Sequence, residues 1–262
     1  MAARAIWKGI IRFGKVAVPV KLYSAVEDRK IHFRLLHQKD QTPVSQKMVN
    51  PDTGEIVPYE EINRGYETEE GEIILLEDEE LKSLEPEASR EINITRFVEP
   101  DRINHQWYDR PYYMGPDNDF ESYFAFAKAC EEHKLEGLAR WNMRKKRYIG
   151  ALRAESGYLK IITLRYPEEV VDASELPRPS GRPFEKQEMR MAEQLVSALE
   201  GDFNPEEYRD EYRQRVMEFL EKKAKGGTVK FRKVEEKKPK VVPLSDLLEK
   251  SLHLAAKEKK SA

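Results

Sequence analysis

The densest concentration of chemistry lies between Leu138 and Arg153, where six basic side chains occur in sixteen positions without one acid. They are Arg140, Arg144, Lys145, Lys146, Arg147 and Arg153, with Trp141 and Tyr148 interleaved. Lys and Arg at that density neutralise phosphates and release counterions. A polyanion is the ligand they suit, and a solvated hairpin tip is the plainer alternative. A second set, Arg4, Lys8, Arg12, Lys15 and Lys21, sits in strand-like sequence. Residues four apart on a strand share a face, so Lys8 and Arg12, with Arg4, make a basic stripe. The alternative is ordinary solvent-side cations opposite a core of Ile6, Ile11, Phe13 and Val16. Binding of this kind depends on backbone and shape rather than base sequence. No zinc-finger pattern, ribonucleoprotein aromatic motif or helix-turn-helix accompanies it.

Catalytic signatures are sparse. There is no phosphate-cradling glycine loop and no nucleophile elbow. Five histidines (His32, His37, His105, His133, His253) are scattered, and Cys130 is the single cysteine, which excludes an intrachain disulfide or a cysteine-based zinc site. Glu77-Asp78-Glu79-Glu80 keeps a metal-dependent nuclease reading open, through Asp78 and Glu80. Four consecutive acids fan out rather than converge, however, and with Leu81 and Leu84 behind them they read as the negative first turn of a short helix. No metal site and no cofactor is expected.

The elements that must position these residues follow from hydrophobic period and turn chemistry. Residues 6–26 are rich in Ile, Val and Phe and punctuated by Gly9, Gly14 and Pro19, which predicts bent strands. Further strands are predicted at Glu72–Leu76, Glu91–Val98, Trp107–Met114, Arg147–Arg153 and Tyr158–Tyr166, a spacing that suits a barrel or sandwich. Asn50–Gly54 reads as a turn. A helix capped by Asp117 or Asn118 runs to about Lys134 with Phe120, Phe124, Ala127 and Cys130 on one stripe. After a proline-rich linker at Leu176–Pro183, a helix is predicted over Glu185–Leu199 and another from Asn204-Pro205 to Gly226-Gly227. The latter carries Tyr208, Tyr212, Val216, Phe219 and Leu220 on one face. Residues 228–243 read as a lysine-rich tether, followed by an amphipathic segment capped by Ser245 with Leu247, Leu248, Leu252 and Ala255 on one side. The class is α+β, β-dominant.

In 262 residues, 46 basic and 48 acidic side chains give a net charge of −2. That total argues against a protein basic all over, but the layout is uneven. Residues 1–47 carry ten Lys/Arg and three Asp/Glu, a balance of +7; residues 138–153 carry +6 and residues 222–262 carry +8. Against them stand −13 over residues 48–101, −3 over 102–137 and −7 over 154–221. A surface field depends on such local arrangement, so a positive channel inside a negative exterior is compatible with neutrality. No apolar run approaches the roughly 18 residues of a membrane span. No signal-peptide pattern follows Met1, so an intracellular, soluble chain is expected.

Several stretches, in order, resemble one family. They are Ile6–Ala25 (IWKGIIRFGKVAVPVKLYSA), Phe33–Asp40 (FRLLHQKD), Pro51–Val57 (PDTGEIV), Arg64–Tyr66 and Tyr112–Pro116 (YYMGP). Arg140–Arg153, Thr163–Val170 (TLRYPEEV), Glu188–Leu195, Phe203–Tyr212 (FNPEEYRDEY) and Leu244–Leu252 (LSDLLEKSL) continue the series. The sequence is similar to bacterial Ku, the DNA-end-binding protein of non-homologous end joining, over nearly its whole length.

The resemblance implies a non-catalytic homodimer whose β-barrels and bridging segments form a ring around a double-stranded DNA end. The implied organisation is a core over residues 1–184 with a DNA-encircling bridge at about 30–66, a helical dimerisation arm over 185–226 and a flexible basic tail over 227–262. Arg34, Lys39, Lys47 and Arg64 of the bridge would join Lys8, Arg12, Arg140, Arg144, Lys145 and Arg147 near the duplex. A multidomain ATP-dependent DNA ligase is the implied partner, recruited through Leu247, Leu248 and Leu252. The implied location is cytoplasmic and nucleoid-associated. Some relatives have cysteines near the Pro51–Val57 turn; none occurs here, so no metal is inferred. The sequence ends soon after Lys260, so DNA bridging by a long lysine-rich extension is not expected. A protein-interaction adaptor built on the Leu247/Leu248/Leu252 helix remains a third reading.

Overall fold

The structure is a computed structural model. It describes residues 4–178, 181, 185–226 and 243–258, with side chains to residue 254. The chain divides into two compact units, Met1–Glu175 and Leu176–Ala262.

The first unit is built on a closed barrel of seven strands: β1 (Trp7–Phe13), β2 (Val16–Ser24), β5 (Glu91–Val98), β6 (Tyr108–Pro116), β7 (Glu136–Met143), β8 (Lys146–Glu155) and β9 (Tyr158–Leu164). Around the wall the order is β1-β2-β6-β9-β8-β7-β5. Every pairing is antiparallel except the closing one, where Ile10–Arg12 of β1 lie parallel to Glu91–Asn93 of β5. Period-2 alternation sends Val18, Val20 and Leu22 of β2, Leu159 and Ile161 of β9 and Ile92 of β5 into the core. Each such side chain contributes about 1.5–3 kcal/mol when fully buried. Val16, expected in the core, is 43% exposed because it stands at the β1–β2 turn.

Helix α2 (Phe120–His133) packs against this barrel and adds Tyr123, Phe126, Ala127 and Cys130 to its core. Its cap is Asp119, whose carboxylate accepts from Ser122 N at 3.0 Å, rather than the expected Asp117 or Asn118. Asp117 is instead held between Lys8 at 3.1 Å and Lys21 at 2.8 Å, and Asn118 turns the chain at a φ of 70°. The buried stripe is correspondingly rotated: Phe120 and Phe124 are exposed, and Tyr123 and Phe126 take their place. Tyr123 ties helix to barrel, its hydroxyl donating to Met114 O and accepting from Leu159 N.

Between β2 and β5 the chain makes a long excursion. It has two isolated bridges, Leu36 to Pro43 and Val49 to Ile56, then the hairpin β3 (Arg64–Glu67) and β4 (Ile73–Leu76) and the short helix α1 (Asp78–Ser83). The acidic run does open that helix, with Glu77 and Glu80 forming a reciprocal capping box.

The second unit contains α3 (Lys186–Leu199), α4 (Glu211–Ala224) and α5 (Leu244–Glu258). Within it α5 packs along α3. The helix expected from Asn204-Pro205 begins later. Asn204 caps a single 3₁₀ turn, Tyr208 returns to extended backbone, and Asp210 caps α4 by accepting from Arg213 N at 2.9 Å. Tyr208 is therefore not part of the helical stripe. The tether over 228–243 lies outside the described residues except for Pro243, and Ala255 has no described side chain. Among the described residues no helix is long and apolar enough to cross a membrane.

Candidate nucleic-acid interface

Strands β7 and β8 form a hairpin whose register pairs Met143 with Lys146, leaving Arg144 and Lys145 as the two turn residues. Both have positive φ, 49° and 66°. A two-residue hairpin with both centres left-handed matches the twist of its strands but normally selects Asn-Gly. Here two long cations take the left-handed positions, at about 1–2 kcal/mol per residue. Local strain of this kind concentrates where a side chain must be presented rather than where stability is greatest.

Alternation along β7 turns Ala139, Trp141 and Met143 inward and Arg140 and Asn142 outward. Trp141, only 2% exposed, stacks on Tyr148 at 5.5 Å between ring centroids, so its face is committed to the core and closed to a base. The pairing Arg140–Asn93–Arg12 runs across β7, β5 and β1, and Arg147 stands opposite Asn142 on β8. Two basic blocks remote in sequence thus meet on one outer face. Between them lies a groove of about 560 Å³ lined by Glu91, Asn93, Arg140, Asn142, Arg147, Ile149 and Tyr166. Its walls are fixed locally: Tyr166 donates to Arg147 O at 3.0 Å, and Asn142 donates to Glu87 O at 2.9 Å.

Ion pairing sorts the sequence-expected cations. Arg12 meets Glu91 at 2.5 Å and Lys145 meets Glu85 at 2.9 Å. Arg64, on β3, stands 3.8 Å from Asp78. Lys8 shares Asp117 with Lys21; hydrogen bonding to that carboxylate holds the Lys21 ammonium above its ordinary value and the carboxyl below its own. In contrast, Arg140, Arg144 and Arg147 have no ion-pair partner among the described residues. Arg34, Lys39 and Lys47 are also exposed and unpaired there, but they lie on the excursion and are not brought to the groove. Asn93, Asn142, Ile149 and Tyr166 join the groove without having been singled out in sequence. For Asn142, the alternation of Arg140 and Asn142 against Trp141 and Met143 is the signal that would have found it.

Residues 12–194 match the family model of the Ku70/Ku80 beta-barrel domain. The chain belongs to the Ku family. Curated relatives support the same assignment along the length of this Ku chain. A protein from Geotalea uraniireducens named Non-homologous end joining protein Ku 2 is 35% identical over 257 residues, 98% of this chain and 100% of its own. Two proteins named Non-homologous end joining protein Ku are similar to comparable extents. That of Solibacter usitatus is 33% identical over 98% of this chain and 96% of its own. That of Coxiella burnetii is 36% identical over 100% and 98%. The Ku assignment accounts for the barrel and places the hairpin and groove within the matched region.

The excursion and the second unit carry the other expected contacts. Phe33, Leu35, Leu36, Met48 and Ile56 are exposed, as are Tyr66, Ile73, Ile74 and Leu75 of the β3–β4 hairpin. On α5, Leu247 is exposed, whereas Leu248 and Leu252 are half-buried. Among the described residues no group of three or more His, Cys, Asp or Glu side chains converges as a metal ion would require.

Proposed function

We propose that this Ku-family chain binds the ends of double-stranded DNA without reading sequence, in the repair of double-strand breaks by non-homologous end joining. The observation that carries the reading is the gathering of three arginines without an ion-pair partner among the described residues, Arg140, Arg144 and Arg147, at one hairpin and the groove beside it. A guanidinium presented without a carboxylate is free to exchange condensed counterions for contact with phosphate. Arg12, beside the same groove, and Lys145, at the same tip, add contacts when phosphate competes for their acidic partners. Lys8 lies farther along β1 and contributes to the field rather than to the groove.

Two copies form the ring. So many exposed large apolar side chains on a single excursion mark an interface, and a second copy of the excursion offers the same side chains in return. Arg34, Lys39, Lys47 and Arg64 line the aperture, and residues 185–226 strengthen the dimer. An acidic exterior to that ring, as the segmental charge balance suggests, would discourage binding along the side of a duplex and favour threading from an end. The ring has no catalytic role; it protects ends and recruits a multidomain ATP-dependent DNA ligase through α5, in the cytoplasm beside the nucleoid.

Competition between linear duplex and covalently closed circular DNA of the same sequence tests the reading. Linear DNA should compete far better, and circles competing equally well would exclude threading. The names of the relatives, all of them end-joining proteins, favour this over a nuclease or a pure adaptor.

A further inference from the structure

The groove beside the β7–β8 hairpin differs in shape from the hairpin tip. Arg144 and Lys145 stand at an exposed turn, whereas Arg140 and Arg147 line a recess of about 560 Å³. Both arginines lack an ion-pair partner among the described residues, and the one carboxylate in the lining is Glu91. Arg12 holds that carboxylate at 2.5 Å, so this pair is neutral and the charge of the two guanidiniums is left over. Two acids of the flanking segments are engaged as well. Glu85 meets Lys145 at 2.9 Å, and Glu169 accepts from Tyr166 N at 2.7 Å.

Uncharged donors complete the set. Asn93, paired across the strands with Arg140, lines the recess, and its amide has no hydrogen-bond partner among the described residues. Ser89 Oγ accepts from Glu91 N at 3.1 Å, which leaves its hydroxyl proton to donate. Ile149, Tyr166 and Pro167 add an apolar wall. A backbone phosphodiester brings one charge, two free oxygens and a nucleotide on either side. A 5′-terminal monoester brings a charge of about −1.5 to −2 and three free oxygens, with a nucleotide on one side only. Two guanidinium forks, an amide and a hydroxyl match the larger charge and the third oxygen. The apolar wall suits the sugar of a terminal nucleotide, which no further nucleotide covers.

We propose that this recess seats the 5′-terminal phosphate of a DNA end. Arg140 and Arg147 donate to its oxygens, Asn93 and Ser89 complete the shell, and the terminal sugar lies against Ile149, Tyr166 and Pro167. Arg144 and Lys145 remain on the backbone of the duplex. The site rests on the end-binding reading and adds to it a preference for the chemistry of the end.

The test uses the full chain and one blunt duplex whose 5′ ends carry a phosphate, a methyl phosphate diester or a hydroxyl, compared by anisotropy competition at fixed salt. The phosphate-ended duplex should compete about tenfold better than the hydroxyl-ended one, with the methyl phosphate between them. Arg147→Gln should bring the ratio of phosphate to hydroxyl affinity close to one, and Asn93→Ala should lower it without removing a charge. Arg144→Gln, outside the recess, should weaken all three duplexes alike and keep the ratio. The proposal is overturned by a ratio near one in the parent, by a methyl phosphate as good as the monoester, or by a ratio unchanged in both recess variants. A ratio that Arg144→Gln abolishes as fully would place the effect in overall charge and overturn it too. Closed circles competing as well as the hydroxyl-ended duplex would instead overturn end binding itself. Circles excluded together with a ratio near one remove the terminal-phosphate site alone.

Discussion

Replacing the hairpin tip by its preferred residues, Arg144→Asn with Lys145→Gly, should make the protein more stable and a poorer DNA binder at once. The backbone at these positions has φ of 49° and 66°. Relief of left-handed strain is worth about 1–2 kcal/mol per residue. Against it stand about 0.5–1 kcal/mol for the added freedom of glycine. Loss of the exposed Lys145–Glu85 pair at 2.9 Å costs no more than about 1 kcal/mol. The net gain is about 1–2 kcal/mol, a rise of a few degrees in Tm for a chain of this size. The same change removes two cations from the proposed interface, so the slope of log K against log salt should fall in magnitude by about 1.8. Calorimetry reads the first quantity, and fluorescence anisotropy of a short duplex across a salt series reads the second. A variant that is no more stable, or one that keeps the parent slope, refutes the idea that strain at this turn is maintained for ligand contact.

Other expectations concern single groups. Arg140→Glu with Arg147→Glu should weaken binding equally for unrelated duplex sequences in an anisotropy comparison, since phosphate contacts carry no base information. Gly150→Ala should destabilise by about 1–3 kcal/mol in thermal melts, because a Cβ there would stand 2.7 Å from Ile162 O and 2.8 Å from the Trp141 ring. The Asp117 carboxyl is lowered from 3.8 chiefly by its hydrogen bond from Lys21, whose ammonium is raised from 10.5 by the same bond. Their contribution is complete between those ordinary values, is lost as pH falls through the lowered carboxyl, and is lost as pH rises through the raised ammonium. Asp117→Asn should therefore lower the melting temperature at pH 7 and make little difference in strong acid. Burial pushes the Cys130 thiol up to about 11, so iodoacetamide at pH 8 should alkylate it only in the unfolded protein, as mass spectrometry would register.

Much of the barrel was legible because its strands are short β-branched runs between turn residues. Strand β7 was the exception: Glu136, Gly137, Ala139, Arg140 and Asn142 give it few of the residues that favour strands. The helix starts were displaced for local reasons. Asp117 and Asp119 are equally good caps by type, and only the tertiary pair Lys8–Lys21 selects between them. Asn204-Pro205 did nucleate a turn, but Asp210 offered a second cap six residues later. The groove was the least accessible to sequence. It depends on the parallel seam between Ile10–Arg12 and Glu91–Asn93, and nothing in either segment specifies that register. The basic hairpin was readable as charge, whereas the pairing of Arg12 and Lys145 with acids, and the isolation of Arg140 and Arg147, required three dimensions.

That seam has a consequence for how such proteins can vary. Strands β2 and β5 both flank β1, and the register sets Leu22 opposite Trp7 and Glu91 beside Ile10. The excursion between Ser24 and Glu91 therefore leaves and re-enters the barrel within about 20 Å, across a single strand. Closing a loop costs entropy that grows only with the logarithm of its length, about 0.6 kcal/mol for each doubling. Residues can be inserted into or removed from the excursion with little penalty to the barrel that anchors it. The length of the excursion and the stability of its support are thus separate variables, free to change on different evolutionary schedules.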